Sequence, residues 1–492
     1  MFIRTKGPVA FCLLLCLFLP ARPSRAYSVL THEQLIDLTW QSSIVPLLLS
    51  RYPTLTPAQI EEARAYAYGG CVIQDIGYYP FGDQFFSDLT HYVRSGDFVV
   101  NLFRNAGNAN ELAFAVGALS HYIGDSIGHS TATNLAVPVE FPKLAAKYGK
   151  RVNYAEGEHQ HVQTEFAFDI NEIAHHRFAP VHYLRHVGLQ VPTKQVALAF
   201  YQTYGLTESF TDTRHHRINV GGYRFAVRKF IPRIAYAVTL LHRKHEPTDD
   251  AANPDLQRLT AEIAAVAHRN DWDAYRKHAG IGTYTLAGFL SILPKIGPLK
   301  LVAVKGPTDQ TERDYVHSVL LSQDELDRDL RRFTPPPATK STAKVAAAAD
   351  FRNHPTSSDS APAKPGAAQS VPRESRDPSH PLANRDLDTG VPVRPSGYRL
   401  TDTTYATLLH RLAANPTQAI PPGVKADILI YYANLDLPFA TKKDPDQWAT
   451  LLQDLKILQT MPTSTAPEPF PTYGSGAESA PPSSVTESTP GN

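Results

Sequence analysis

The run HYIGDSIGH, residues 121–129, sets His121, Asp125 and His129 four residues apart. An α-helix turns once every ~3.6 residues, so these three side chains project from nearly one face if the segment is helical. The same offset returns in EHQHVQTEF, between His161 and Glu165, and His32, Asp75 and His91 precede both pairs. Imidazole nitrogen and carboxylate oxygen hold zinc at about 2.0–2.2 Å, and a carboxylate can bridge two ions. A helical chain this rich in such donors is expected to close around a multinuclear zinc site, a kind of centre suited to phosphate ester hydrolysis.

The surrounding pattern is helical as well. His32–Leu49, Thr56–Tyr68 and Asn108–Ile127 space their apolar residues near the helical period, with Thr56 as a cap and Pro57 in a first turn. Arg224–His242 continues the pattern, with a kink expected at Pro232, and Asp309–Phe333 reads as a charged amphipathic helix. No alternating run promises a large sheet, so the fold class expected is all-α.

Composition divides the 492 residues further. Arg4 and Lys6, the apolar stretch Pro8–Pro20 and Ser24-Arg25-Ala26 read as a secretory signal over residues 1–26, with cleavage near Ala26. The expected destination is secreted or periplasmic. Cys12 and Cys16 would leave with that leader, so Cys71 alone remains and no disulfide braces the fold. Residues 27–333 read as the helical domain, and 334–393, rich in Pro, Ala, Ser and Thr, as a disordered linker. Residues 394–462 recover helical spacing as a small module, and 463–492 return to a disordered Pro/Ser/Thr/Glu-rich tail. The module's Leu400, Leu408, Leu409, Leu412, Ile428 and Leu429 need cover, which docking on the helical domain would supply. A net charge of +1 provides no electrostatic case for nucleic acid as a partner.

Between Tyr27 and Phe168 the chain resembles the zinc-dependent phospholipase C family, in the form found at the N-terminus of glycosylphosphatidylinositol-cleaving phospholipase D. The resemblance extends to about residue 300. It implies an all-helical fold around three zinc ions, whose first ligand is the mature N-terminus. That places Tyr27 at the third zinc through its amino nitrogen and carbonyl oxygen, with His32 and a bridging Asp125. Asp75, in QDIGYYPFG, would join His91, His121 and Asp125 at the first zinc. His129, His161 and Glu165 would hold the second, where water and substrate enter. The family's loop aspartate makes Asp75 the candidate to orient or deprotonate the attacking water. Two positions depart from the family pattern: Tyr27 stands where the bacterial enzymes have Trp, and Gln74 replaces the proline before the loop aspartate.

A lone histidine on an apolar helix face is ordinarily a core or surface residue, so the weight rests on the set and its order. His159 competes with His161, but only His161 has the four-residue offset to Glu165. His175, His176, His182, His186, His215 and His216 repeat no ligand spacing and read as solvated or as outer partners of the site, and Arg214, Arg217, Arg224 and Arg228 as a solvated helix face, with contact to a substrate phosphate as the alternative for both sets. Thr285–Val304 is apolar but broken by prolines and lysines; it reads as core packing, with a lipid-interface surface as the sharper alternative. The activity expected is a zinc-dependent phosphodiesterase holding about two to three zinc ions, a monomer with a phospholipid or other phosphodiester as substrate and transient membrane contact. The alternatives are a single-strand nuclease of the related trinuclear zinc type and a non-catalytic, zinc-stabilised helical binding protein.

Overall fold

A computed structural model describes residues 29–79, 82–207, 220–242, 252–277, 280–292, 306–333 and 381–464. Residues 1–28, which include the segment expected as a leader and Tyr27, residues 334–380 and 465–492, the pairs Arg214/Arg217 and His215/His216, and residues 293–304 lie outside them. The described chain is all-α apart from one two-residue hairpin.

Helices that build the site are α1 (Val29–Thr39), α2 (Pro57–Gly70), α3 (Gln84–Tyr92), α4 (Ser95–Arg104), α5 (Ala109–Gly128) and α6 (Glu158–Ala174). Further along come α7 (Thr193–Tyr204), α8 (Ile231–His242), α9 (Pro254–Arg269) and α10 (Asp309–Phe333). Asn108 starts α5 by accepting the Glu111 amide at 3.0 Å on its side-chain oxygen. Every residue of α5 except Asn110 and Glu111 is buried, as befits a helix with apolar residues all round it. It is the axis of the fold, with α1, α2, α4 and α10 packed about it.

Thr56 and Gln59 form the reciprocal cap expected for α2, with the Thr56 amide donating to Gln59 Oε1 at 2.9 Å and the Gln59 amide to Thr56 Oγ1 at 3.3 Å. Where α2 crosses α5, Gly70 and Gly117 let the two backbones touch. A Cβ on Gly117 would stand 2.2 Å from the Ala67 carbonyl oxygen. The expected helix His32–Leu49 is interrupted by a π turn at Trp40–Ile44, just before Pro46. At Pro232 the kink likewise takes the form of a π turn, Ala226–Phe230. Each proline lacks an N–H, and the widened turn ahead of it absorbs the missing hydrogen bond.

The division into linker and module needs correction. Residues 381–393 are part of the folded structure: β1 (Arg385–Asp386), which is buried, pairs antiparallel with the exposed β2 (Val391–Pro392). Leu382, Leu387 and the helices α11 (Arg399–Ala413), α12 (Pro422–Tyr431) and α13 (Pro445–Thr460) share one continuous core with α1–α10. Leu408, Leu409, Leu412 and Ile428 are buried in it, and α11 packs on α3. The hairpin escapes a composition reading because hydrogen bonds, more than apolar area, bury it: Arg385, Asp386 and Asp388 are all enclosed.

Candidate metal centre

The expected donors within the described residues arrive from several separate elements. His32 comes from α1, Asp75 from the 3-10 turn Ile73–Tyr78, His91 from α3, His121 and Asp125 from α5, and His161 and Glu165 from α6. His129 opens a π turn, His129–Thr133, at the end of α5. Local widening of this sort recurs at functional sites, because it re-aims side chains.

The donors gather into three groups, each within 4.8 Å: His32, His121 and Asp125; Asp75, His91 and His121; His129, His161 and Glu165. All are buried. Asp125 joins the first two groups with separate oxygens. Its Oδ1 stands 3.2 Å from His32 Nε2, and its Oδ2 stands 3.1 Å from His121 Nε2 and 3.3 Å from His91 Nε2. Asp75 Oδ1 lies 3.4 Å from His91 Nε2. In the third group Glu165 Oε1 is 3.0 Å from His129 Nε2 and 2.9 Å from His161 Nε2.

Outer partners aim the imidazoles. His91 Nδ1 donates to the Ser87 carbonyl at 2.7 Å, His121 Nδ1 to the Cys71 carbonyl at 3.0 Å, and His129 Nδ1 to the Leu387 carbonyl at 3.0 Å. A carbonyl only accepts, so each Nδ1 carries the proton and each Nε2 turns toward the cluster. Gln74, the departure from the expected proline, donates its amide to the Ala118 carbonyl at 2.9 Å and so ties the Asp75 turn to α5. The start of α1 is pinned to α6 through Asp169, which accepts from the Leu30 amide at 3.3 Å and from Thr31 Oγ1 at 2.9 Å.

This donor set fits bound cations. His91 Nε2 and His121 Nε2 face each other at 3.4 Å with their Nδ1 atoms already committed, so a proton or a metal must lie between them. Asp75, Asp125 and Glu165 bring carboxylates into a space closed to water, and buried charge of one sign is tolerable only when paired or coordinated. Among the described residues neither oxygen of Asp75 or Asp125, nor Glu165 Oε2, makes a hydrogen bond. The electrostatics tell the same story. Burial opposes a charged His91, but the carboxylates of Asp125 and Asp75 outweigh it and push its pKa up to about 10. Burial pushes Glu165 up to about 8 against the pull of His129, and pushes His161 down to about 4. For Asp125, burial is overcome by His121 and His129, which hold it well below the ordinary carboxylate range.

The competing histidines separate cleanly. His159 is exposed, whereas His161 is buried against Glu165. His176, His182 and His186 are exposed, and the half-buried His175 donates to the Asn171 carbonyl at 2.9 Å. Arg224 and Arg228 are engaged by Gln190 Oε1 and the Arg185 carbonyl. The Leu387 carbonyl and the neighbouring Asp388 were not visible as site residues in the sequence; no spacing signals them.

An all-helical fold thus encloses clustered His, Asp and Glu donors of the kind that hold zinc. Residues 31–211 match the family model described as zinc dependent phospholipase C, and over that span the chain is similar to this family. No curated protein and no solved structure matches the chain. Every donor from His32 to Glu165 falls inside the matched span; Leu387 and Asp388 lie beyond it.

Proposed function

We propose that the protein is a secreted or periplasmic phosphodiesterase of the phospholipase C type, which hydrolyses the head-group phosphoester of a phospholipid. The observation that carries this reading is the convergence of three donor groups, two sharing His121, within the span that matches the family. His32, Asp75, His91, His121, Asp125, His129, His161 and Glu165 would hold zinc, with the Tyr27 amino group as the further ligand. Bound zinc would supply Lewis-acid stabilisation of the phosphate's developing charge and a water acidic enough to attack at neutral pH. The chain's own residues do the positioning. The Nδ1 bonds of His91, His121 and His129 fix the rings before substrate arrives, and the burial of the carboxylates keeps bulk water from screening the centre.

Asp75 is the proposed proton acceptor. It sits on a short turn, both its oxygens lack hydrogen-bond donors among the described residues, and burial raises its pKa despite the neighbouring His121 and His91. Lipid contact is part of the same proposal. The helix Ile281–Ile292 contains no charged residue and leaves Ile281 and Tyr284 exposed, while no described helix is long and apolar enough to cross a membrane.

The test is turnover of phosphatidylcholine and of single-stranded DNA by the zinc-loaded full chain and by Asp75→Asn. Phosphatidylcholine hydrolysis that falls at least ~100-fold in the variant is expected, as for loss of a general base. Cleavage of DNA in preference to lipid would replace this reading with the nuclease one. Zinc binding with no hydrolysis of either would leave a structural metal site.

A further inference from the structure

The hairpin segment 385–390 touches the metal centre from a part of the chain far beyond the family-matched span. It is built into place from several sides. The Leu387 amide donates to the His91 carbonyl at 3.1 Å, while the Leu387 carbonyl accepts His129 Nδ1 at 3.0 Å. Thus one peptide-length stretch links ligands of two different donor groups. Asp388 is wholly buried. Its Oδ2 accepts from Tyr92 at 2.9 Å and Tyr398 at 2.7 Å, and its Oδ1 stands 4.0 Å from His129 Nδ1. Its carbonyl accepts Asn134 Nδ2 at 2.7 Å.

Arg385 anchors the other end of the loop. Its Nε donates to Tyr122 Oη at 3.0 Å and its Nη1 to the Gly390 carbonyl at 2.9 Å. Gly390 has φ +70° and lies against α5 so closely that a Cβ there would stand 2.2 Å from the Ser126 carbonyl oxygen. No solvated linker needs a buried arginine, a buried aspartate and a backbone-to-backbone seat on the ligand helix.

We infer that residues 385–390 complete the zinc centre, with the Leu387 carbonyl and the Asp388 carboxylate acting as positioning groups for His129. The carbonyl behind Nδ1 fixes the proton there and orients Nε2 toward His161 and Glu165, while the Asp388 charge 4.0 Å away would raise the basicity of Nε2 as a ligand. The C-terminal layer is then part of the site and not an appendage to it. This rests on the zinc reading of the donor cluster.

The experiment uses the full chain, loaded with zinc and separately with cobalt(II). Asp388→Asn keeps the side-chain shape while removing the charge, and Gly390→Ala pushes the loop off α5. Each is expected to weaken one equivalent of zinc by about 10–100-fold in chelator competition and to alter the cobalt visible spectrum. Asp454→Asn, in the pair with His410 across α11 and α13, is expected to leave both unchanged. A second measurement needs no variant. Because coupling is reciprocal, removing zinc from the wild type should speed amide exchange in 385–390 by about the same factor, relative to the α13 amides. Wild-type zinc retention and spectrum in both variants, or exchange in 385–390 that ignores zinc, would overturn the inference. Absence of zinc binding by the wild type would instead overturn the metal reading on which it stands.

Discussion

Gly117→Ala is expected to disable the metal centre from outside it. The new Cβ would stand 2.2 Å from the Ala67 carbonyl oxygen and 2.7 Å from the Cys71 amide nitrogen, both backbone atoms of the α2 end. Ordinary contact begins at 3.4 Å, so α2 must retreat from α5 by about 1 Å. That end carries the Cys71 carbonyl, which holds His121 Nδ1 at 3.0 Å, and leads directly into the Asp75 turn. A retreat of ~1 Å stretches that hydrogen bond beyond useful length and withdraws Asp75 from an ion whose bonds are about 2.0–2.2 Å long. Overpacking costs about 1–3 kcal/mol and the lost hydrogen bond about 1 more. At roughly 2 °C per kcal/mol for a large domain, the melting temperature should fall by about 4–8 °C. Zinc per chain should fall with it. The assay is scanning calorimetry with elemental analysis of the same samples. Gly288→Ala is the control, because a Cβ there meets nothing within 4 Å and the helix gains propensity. A Gly117→Ala protein that melts and holds zinc like the wild type would refute the claim that this crossing places Asp75.

His161→Ala and Glu165→Ala should each release about one equivalent of zinc, while His159→Ala, two residues away and exposed, should keep full metal content by elemental analysis. Deleting residues 381–492 should leave insoluble or zinc-poor protein, because Leu382, Leu387, Leu408 and Leu412 belong to the shared core; a soluble, fully loaded fragment would separate the layers. Burial pushes the Asp37 carboxyl from 3.8 up to about 6, against the pull of Arg64, so between those values the folded state keeps a proton that the unfolded chain has lost. Its contribution is fully present below the unfolded value and is lost as pH rises through the folded one, roughly 3 kcal/mol in all. Urea titrations should therefore show Asp37→Asn gaining stability relative to wild type as pH rises from about 4 to about 7, and a pH-independent difference would contradict this.

Much of the centre could be read directly because helical spacing writes side-chain direction into the sequence. A step of four residues overshoots a 3.6-residue turn by about 40°, so His121, Asp125 and His129 fan round the helix and do not face a single point. His121 turns to Asp75 and His91, His129 turns to His161 and Glu165, and Asp125 stands between them, with the π turn at His129–Thr133 adding to the spread. The fan sets His129 in a donor group apart from His121 and Asp125.

What stayed hidden is of a different physical kind. The Cys71, Ser87 and Leu387 carbonyls that orient the rings are backbone atoms, which any residue supplies, so no residue type marks them. The segment Arg385–Gly390 has the charged and glycine-bearing composition of a solvated turn, and it follows a Pro/Ala/Ser/Thr-rich stretch that favours the same reading. Its burial depends on partners remote in sequence: Ser95 and Tyr122 for Arg385, Tyr92 and Asn134 for Asp388. An arginine or aspartate can be enclosed only where such partners already wait, and nothing local in the chain reports them. The hairpin's seat on the ligand helices therefore has to come from tertiary structure. Because that seat touches both His91 and His129, the integrity of the zinc centre becomes coupled to the C-terminal layer, through a contact that neither segment encodes alone.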